Sequence, residues 1–365
     1  MGKLNLKELP TTDPITPLNQ ETMTLLRTFT YWSLPSRSIN RRIWPLALGV
    51  SYLLLIYILG GIKADHILIG SLVLLDYYNE KSRLFLKCFL PFILTGIVYD
   101  SMRYFYWQAI SGHIHVEGPY YRDLAWFGIS IVQDNGTPHL LTPNEYLAIH
   151  TSKTLDLLCG FAYLIFIGEY LLTAFYLFIR HKLTCLRHFG WSFFIVNLGG
   201  FITYFIYPAA PPWYVTQYGL GPARMDIFPI AAGAQRFDII LGTHFFDQIY
   251  GRGVDVFGAY PSLHVAYPLL TALVTFQIRE LRLFRAPAIL FFILMCFSAV
   301  YLQHHYMVDI LLGILYAVIA WLVTAKVNGT EKAKNKNDTA KTRTRNRSNW
   351  IHRSQSREAP TKPRL

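Results

Sequence analysis

The chain has 365 residues, of which 53% are hydrophobic, 16% are aromatic and only 15% are charged, and its mean hydropathy is +0.28. Soluble globular proteins carry about 25% charged residues, so this composition excludes a soluble enzyme, a disordered protein and a nucleic-acid-binding domain. The net charge of +12 does not reverse that conclusion, because twelve Lys or Arg residues against three acids lie from Lys326 onwards.

Both ends of the chain are predicted to be polar and cytoplasmic. Residues 326–365 are rich in Lys, Arg, Asn, Thr and Ser, a composition typical of a disordered tail that contacts anionic lipid headgroups. Residues 1–42 are predicted to be a cytoplasmic N-terminal segment, and its polar character predicts no cleaved signal peptide. The four cysteines show no paired spacing, so they predict neither a disulfide framework nor a metal site.

Eight apolar segments between these ends are predicted to cross a membrane as an all-α helix bundle. A spanning helix needs about 20 mostly apolar residues, and the second segment is the weakest because it is short and contains Asp76. In chain order the segments are Trp44–Ile62, Ile67–Tyr78, Leu84–Tyr99, Leu155–Ile179, Phe189–Tyr207, Ser262–Ile278, Ala286–Leu302 and Val308–Ala325.

Basic residues predict the orientation of this bundle, because Lys and Arg accumulate in short cytoplasmic loops. The loops Arg180–His188 and Arg279–Arg285 are basic, whereas Ser101–Thr154 and Pro208–Tyr260 are not, so the latter two are predicted on the outer face. Ser101–Thr154 is also rich in aromatic residues, which favours an interfacial cap. The predicted domains of the membrane part are 43–154 for the first helices with the cap and 155–325 for the core.

Two short motifs fall on the predicted outer face. The first is GAYPSLH at residues 258–264, and the second is YLQHHYMVD at residues 301–309. Residues four apart share a helix face, so Asp309 is predicted one turn below His305. There its carboxylate orients the imidazole and leaves the other ring nitrogen as a nucleophile. The alternative is a solvated His at a helix end and an Asp bonded to a neighbouring helix.

The first motif predicts a helix start beside that histidine. Pro261 suits the first helical position, and the backbone N–H groups from Ser262 to His264 are predicted to hold a phosphate oxygen. His264 then lies where it protonates a leaving oxygen. The alternative for His264 is an interfacial histidine without a chemical role.

These motifs carry a resemblance to a known family. The pair PSLH (261–264) and HxxxD (305–309) resembles the second and third motifs of the type 2 phosphatidic acid phosphatase superfamily. In that superfamily the third-motif His attacks phosphorus, the Asp orients it and the second-motif His is the general acid. In addition, YPAAPPWY (207–214), ARMD (223–226) and YLQHHY (301–306) resemble the fungal inositol phosphorylceramide synthase catalytic subunit and its bacterial relatives.

The sequence also departs from the wider superfamily. The first motif, a Lys followed six residues later by Arg-Pro, is absent, and Ala299 stands where the third motif has an Arg. Both departures favour the synthase branch and leave the phosphate charge without an assigned cation.

Five further residues are predicted to contact substrate or phosphate at this site. A phosphoryl group in transfer needs positive charge around its oxygens, and the resemblance selects Arg224, with Arg252 as a weaker candidate. The alternative for Arg224 is a structural ion pair with Asp226. Trp213 and Tyr260 are predicted to border the substrate pocket, and Ser262 to contribute to phosphate binding.

The resemblance implies a membrane phosphotransferase. Its donor would be phosphatidylinositol, its acceptor a ceramide hydroxyl and its intermediate a phosphohistidine, with diacylglycerol released and no metal or other cofactor needed. It further implies a Golgi membrane in a eukaryote or the inner membrane in a bacterium, with a luminal or periplasmic site, and leaves a regulatory membrane subunit open. The alternatives are a lipid phosphate or polyprenyl diphosphate phosphatase with the same histidines, and a non-catalytic lipid transporter or scaffold.

Overall fold

The computed structural model describes residues 40–62, 64–251, 253 and 256–327. The described residues from Leu48 onwards form one compact unit. Residues 40–47 form the start of the first helix. Most of the predicted N-terminal segment and of the predicted basic tail therefore lies outside the described residues.

The described residues form helices with a single small hairpin between two of them. The N-terminal helices are α1 (Asn40–Gly60), α2 (Ala64–Ser71), α3 (Leu75–Tyr78) and α4 (Glu80–Met102), with a 3-10 turn at Leu72–Leu74. The next elements are α5 (Tyr106–Ile110), α6 (Glu117–Phe127), β1 (Ile129–Val132), β2 (Pro138–Leu141) and α7 (Pro143–Ile149). The strands pair antiparallel, with Ile129 opposite Leu141.

The remaining elements follow in chain order. They are α8 (Lys153–Ile179), α9 (Leu183–Ile206), α10 (Pro212–Tyr218), a 3-10 turn (Ala232–Ala234), α11 (Gln235–Leu241), α12 (Phe245–Tyr250), α13 (Leu263–Gln277), a 3-10 segment (Arg279–Phe284), α14 (Arg285–Tyr301) and α15 (Met307–Val327). The predicted all-α membrane fold is therefore confirmed.

Membrane-spanning length is reached by five helical segments of the described chain. They are Glu80–Met102, Lys153–Ile179, Leu183–Ile206, Arg279–Tyr301 and Met307–Val327, and the shorter apolar helices are Pro45–Gly60 and Leu263–Gln277. The predicted second span is broken into α2, a 3-10 turn and α3, and its acid Asp76 forms an ion pair with Arg83 at 3.0 Å. The predicted count of eight is thus not confirmed.

Apolar side chains cover the outside of these helices. Leu172, Ile206, Leu290 and Leu322 are each more than 60% exposed. An apolar surface of this extent is stabilised by lipid rather than by water. The long helices therefore present their outward faces to the bilayer.

The core is formed where α8, α13, α14 and α15 pack together. Its buried residues include Cys159, Val265, Met295, Ala299 and Ile310. At one end of this bundle, the two basic loops meet through an ion pair of 2.6 Å between Lys182 and Glu280. The opposite end carries the starts of α13 and α15 together with the end of α14.

Small residues allow close helix approach at that opposite end. A Cβ atom on Gly313 of α15 would lie 2.2 Å from the carbonyl oxygen of Ser262, and one on Gly200 of α9 would lie 2.9 Å from the Leu263 side chain. Glycine is favoured where backbones in a membrane pack this closely. These contacts bring the start of α13 against α9 and α15.

Candidate active site

A cavity of about 510 Å³ reaches from this end of the bundle into its interior, between α4, α8, α9 and α13. His264, His304 and His305 line its outer end. Its walls are mainly aromatic, with Phe92, Tyr163, Phe166, Tyr170, Phe193 and Phe201 among the lining residues. A mostly apolar cavity with a few convergent polar groups is the usual form of a site for an apolar ligand.

His264 and His305 contact each other directly at the outer end of the cavity. Nδ1 of His264 lies 3.0 Å from Nε2 of His305. His264 stands in the first turn of α13, and His305 lies in the short connection between α14 and α15. The structure thus joins the two predicted motifs, which are separated by 41 residues in the chain.

The other ring nitrogen of His305 is held by a backbone carbonyl. Nδ1 lies 2.9 Å from the oxygen of Ala259, whereas the Asp309 carboxylate is 3.6 Å away. Because a carbonyl only accepts, Nδ1 carries the proton and Nε2 keeps its lone pair. Burial lowers the pKa of His305 to about 4, with the Ala259 hydrogen bond opposing that shift, so the ring is neutral at neutral pH.

Asp309 is fully buried beside His305 and fixes the start of α15. Its Oδ2 accepts a hydrogen bond of 2.8 Å from the Tyr306 N–H, and its backbone carbonyl accepts one of 3.0 Å from the Ser262 N–H. The carboxylate is close enough to stabilise positive charge on His305 during reaction. The Ser262 N–H is engaged within the fold, while the buried Ser262 Oγ has no hydrogen-bond partner among the described residues.

Of the predicted binding residues Trp213 and Tyr260, only the first lines the cavity. Trp213 is buried, lines the cavity and donates its backbone N–H to the Gln303 carbonyl at 3.0 Å. Tyr260 lies outside the cavity lining, with its ring 5.3 Å from that of Tyr207. Burial raises the pKa of Tyr260, and the Arg122 guanidinium opposes that rise, so Arg122 also lies near this face.

Arg224 is not among the residues that line the cavity. Its side chain is 53% exposed and pairs with Asp226 at 2.8 Å, and its guanidinium lies 5.1 Å from the Tyr218 ring. This geometry is the structural ion pair that the sequence left as the alternative. Arg252 lies outside the described residues.

A cluster of nearly parallel rings, not predicted from the sequence, surrounds His264 and His304. The ring centroid of Tyr163 lies 4.9 Å from that of His264 and 5.4 Å from that of His304, and the Tyr250 centroid lies 4.6 Å from that of His304. The planes differ by 17°, 18° and 5°, respectively. Tyr163 packs almost parallel to the His264 ring, and aromatic faces stabilise an imidazolium by cation–π attraction.

The segment between α4 and α8 supplies two further supports for the His305 loop. Asn144 Nδ2 donates to the carbonyls of Val300 and His305, both at 3.0 Å. Asp123 Oδ1 accepts from the Val308 N–H at 3.1 Å and so caps the start of α15. Neither residue carries a sequence pattern that reveals this role, since each partner is more than 150 residues away in the chain.

Replacing Asp123 with Asn is expected to change how stability depends on pH. Burial raises the pKa of Asp123 to about 7, and its hydrogen bond from Val308 opposes that shift. Between the unfolded pKa near 4 and about 7 the native state holds a proton that the unfolded state has lost, so the free energy of unfolding falls as pH rises.

Asn keeps the acceptor oxygen and removes the titration. Thermal unfolding in detergent at pH 5, 6, 7 and 8 should therefore show the Asp123→Asn variant gaining Tm relative to the wild type as pH increases. A Tm difference that stays constant over this range would contradict the prediction.

A comparison with protein families assigns the helical core to a known superfamily. The sequence profile of the PAP2 superfamily matches residues 141–323, which make up half of the chain and contain both histidine motifs. The chain belongs to the PAP2 superfamily.

Individual relatives narrow the resemblance within the PAP2 superfamily. The chain is 38% identical over 266 residues to a phosphoinositol dihydroceramide synthase of Bacteroides thetaiotaomicron, a match that covers 72% of this chain and 84% of that protein. It is 33% identical over 141 residues to the inositol phosphorylceramide synthase catalytic subunit of Schizosaccharomyces pombe, covering 39% of this chain and 32% of the relative.

The chain is also 32% identical over 185 residues to the inositol phosphorylceramide synthase catalytic subunit of Saccharomyces cerevisiae, a match that covers 50% of this chain and 45% of the relative. No solved structure gives a significant match. The predicted resemblance to inositol phosphorylceramide synthases is thereby confirmed, as is the prediction of a synthase-like membrane phosphotransferase.

Proposed function

We propose that this protein transfers the inositol phosphate headgroup of phosphatidylinositol to the primary hydroxyl of a ceramide and releases diacylglycerol. The observation that carries the proposal is the 3.0 Å contact between His264 and His305 at the end of an aromatic cavity. Relatives named as synthases of inositol phosphorylceramides support the choice of substrates.

The first half of the proposed reaction forms a phosphohistidine. Nε2 of His305 attacks phosphorus, an N–P bond forms, and the P–O bond to diacylglycerol breaks. His264, which enters this step as an imidazolium, gives one proton to the departing oxygen and becomes neutral, so diacylglycerol leaves as a neutral alcohol. Positive charge that develops on the His305 ring is stabilised by Asp309, 3.6 Å away, and by the Ala259 carbonyl.

The second half reverses these roles with a new alcohol. His264, now neutral, takes the proton of the ceramide hydroxyl, whose oxygen attacks phosphorus as the N–P bond breaks. His305 returns to its starting tautomer, because Nδ1 keeps its proton throughout and donates it in a hydrogen bond to the Ala259 carbonyl. Every step uses protons and electron pairs already held by the two histidines and the two lipids.

The dry environment favours transfer over hydrolysis. His304 and His305 are only 6% and 3% exposed, respectively, and the cavity beneath them is lined mainly by aromatic and aliphatic side chains. Excluding water protects a reactive intermediate from hydrolysis, while a lipid alcohol reaches it from the membrane side. We further propose that the site lies on the luminal or periplasmic face, since the basic loops lie at the opposite end of the bundle.

The decisive experiment uses the purified protein in liposomes with headgroup-labelled phosphatidylinositol, with and without ceramide. We expect diacylglycerol and a labelled sphingolipid to form together and only when ceramide is present. Free inositol phosphate formed regardless of ceramide would make the protein a hydrolase. Cleavage of phosphatidic acid or a polyprenyl diphosphate instead would favour the phosphatase alternative.

The same assay tests whether one chain is sufficient. Activity of the chain purified alone would show that no regulatory subunit is required. A different result would favour the non-catalytic transporter or scaffold. In that case the purified protein consumes no lipid under any condition, and variants without His264 or His305 still support the growth of a cell that needs this protein to grow.

A further inference from the structure

A polar pair lies in the aromatic wall of the cavity, deeper than the histidines. The Tyr267 hydroxyl donates a hydrogen bond of 2.5 Å to Asn197 Oδ1, and both residues line the same cavity as His264 and His305. Tyr267 belongs to α13 and Asn197 to α9. The proposed reaction uses neither residue.

The pair lies at a defined depth below the reacting atoms. Tyr267 follows His264 by three residues on α13, which places it about 5 Å farther along the helix, away from the outer end. Gly200 of α9 lies level with Leu263, the residue before His264, and Asn197 is three residues deeper on that helix. Both helices therefore place the pair one turn below the catalytic histidines.

The hydrogen bonds of the pair determine what it can recognise. Asn197 Nδ2 donates to the Phe193 carbonyl at 2.7 Å, which fixes the orientation of the amide and turns Oδ1 towards Tyr267. Since the Tyr267 hydroxyl donates its only proton to Asn197 Oδ1, its oxygen can act towards a ligand only as an acceptor. At this depth in the cavity, the Tyr267 oxygen can therefore bind a ligand that carries an N–H or O–H donor.

The two lipids of the proposed reaction differ in this property. A ceramide carries an amide N–H and a secondary hydroxyl on the two carbons that follow its reacting hydroxyl. A diacylglycerol carries ester groups there, which only accept hydrogen bonds. An acceptor oxygen one helical turn below the reacting atoms thus matches the ceramide backbone and has no donor to bind in diacylglycerol.

We propose that the Tyr267–Asn197 pair is a specificity subsite, which accepts a hydrogen bond from the amide or the secondary hydroxyl of the sphingoid acceptor. This inference rests on the function proposed above. Asn197 sets the direction of the Tyr267 hydroxyl and acts as a positioning residue, whereas Tyr267 contacts the substrate. Discrimination of this kind is strong in a buried site, because a ligand that lacks the donor desolvates the acceptor without replacing the bond.

The test removes the hydroxyl from the protein and the donors from the lipid in turn. Tyr267→Phe keeps the ring and its packing on Phe193, 4.5 Å away. Tyr316→Phe is the matched control, since the Tyr316 hydroxyl also bonds a residue of α9, Thr203, at 2.8 Å. The acceptors are ceramide, its N-methyl form, its form lacking the secondary hydroxyl, and the form lacking both donors.

We expect Tyr267→Phe to lower kcat/KM for ceramide about tenfold, the equivalent of one hydrogen bond. The rate with the acceptor that lacks both donors should change less than about twofold. The two lipids that lack one donor each show which group is bound. The wild type prefers ceramide to the lipid that lacks the bound donor, and Tyr267→Phe should lose that preference while keeping any preference over the other lipid. Tyr316→Phe should leave the order of the four acceptors unchanged.

Two results would overturn the inference. Equal loss of rate with all four acceptors would show that the Tyr267–Asn197 bond only holds α9 and α13 together. An unchanged rate with ceramide would show that the hydroxyl has no part in binding. Failure of the proposed function is distinct, because the wild type itself would then form no ceramide-dependent product.

Discussion

Replacing His305 with Gln is expected to lower the rate of headgroup transfer by about 10⁴-fold or more. Loss of a nucleophile that acts together with its proton donor has effects of this size. The Gln side chain is similar in size and polarity and has no nucleophilic ring nitrogen, and its amide stands one bond farther from the backbone than Nδ1, which bonds the Ala259 carbonyl at 2.9 Å. The variant therefore removes the nucleophilic nitrogen while disturbing the loop as little as possible.

The measurement is the initial rate of transfer in liposomes, with Tm in detergent as the test of folding. His150→Gln is a suitable control, because His150 is exposed and its Nδ1 contacts the Tyr146 carbonyl of the same helical turn at 2.8 Å. It should retain the wild-type rate. His264→Gln should lose about 10²- to 10⁴-fold, the range for a general acid.

The double variant gives a further check of the mechanism. If the two histidines act as one unit, the combined loss should be close to that of His305→Gln alone. Transfer above about 1% of the wild-type rate by a folded His305→Gln protein would contradict the assignment of His305 as the nucleophile.

The convergence of the histidines was predictable because both signals are local. HxxxD places Asp309 one turn from His305, and PSLH predicts a helix start at Pro261, two residues before α13 begins at Leu263. Five of the eight apolar segments likewise predicted the positions of the long helices, since a membrane span needs about 20 mostly apolar residues. The chemical roles of these residues nevertheless remain predictions.

The contacts that hold the site were not predictable, because they join distant or unspecific groups. The acceptor for His305 Nδ1 is the backbone carbonyl of Ala259, and any residue carries such a carbonyl. Asn144 and Asp123 reach the His305 loop from a segment that precedes it by more than 150 residues. Arg224 pairs with Asp226, only two residues away, and its contact with phosphate stays a prediction.

Replacing Gly313 with Ala is expected to impair both stability and transfer. Gly313 follows Asp309 by one turn on α15, and its added Cβ would lie 2.2 Å from the Ser262 carbonyl oxygen. Backbone cannot yield as a flexible side chain does, so α15 must move away from the start of α13. That movement lengthens the 3.0 Å bond from the Ser262 N–H to the Asp309 carbonyl and separates His305 from His264.

Overpacking of this kind typically costs about 1–3 kcal/mol, and a displacement of about 1 Å at reacting groups costs about 10²-fold in rate. Gly168→Ala is the matched control in α8, because a Cβ there meets nothing within 4 Å. Since Ala exceeds Gly in helix propensity by up to about 1 kcal/mol, that control should keep its rate and hold or raise its Tm. A Gly313→Ala protein with the Tm and rate of the wild type would show that the contact between α13 and α15 does not set the geometry of the histidines.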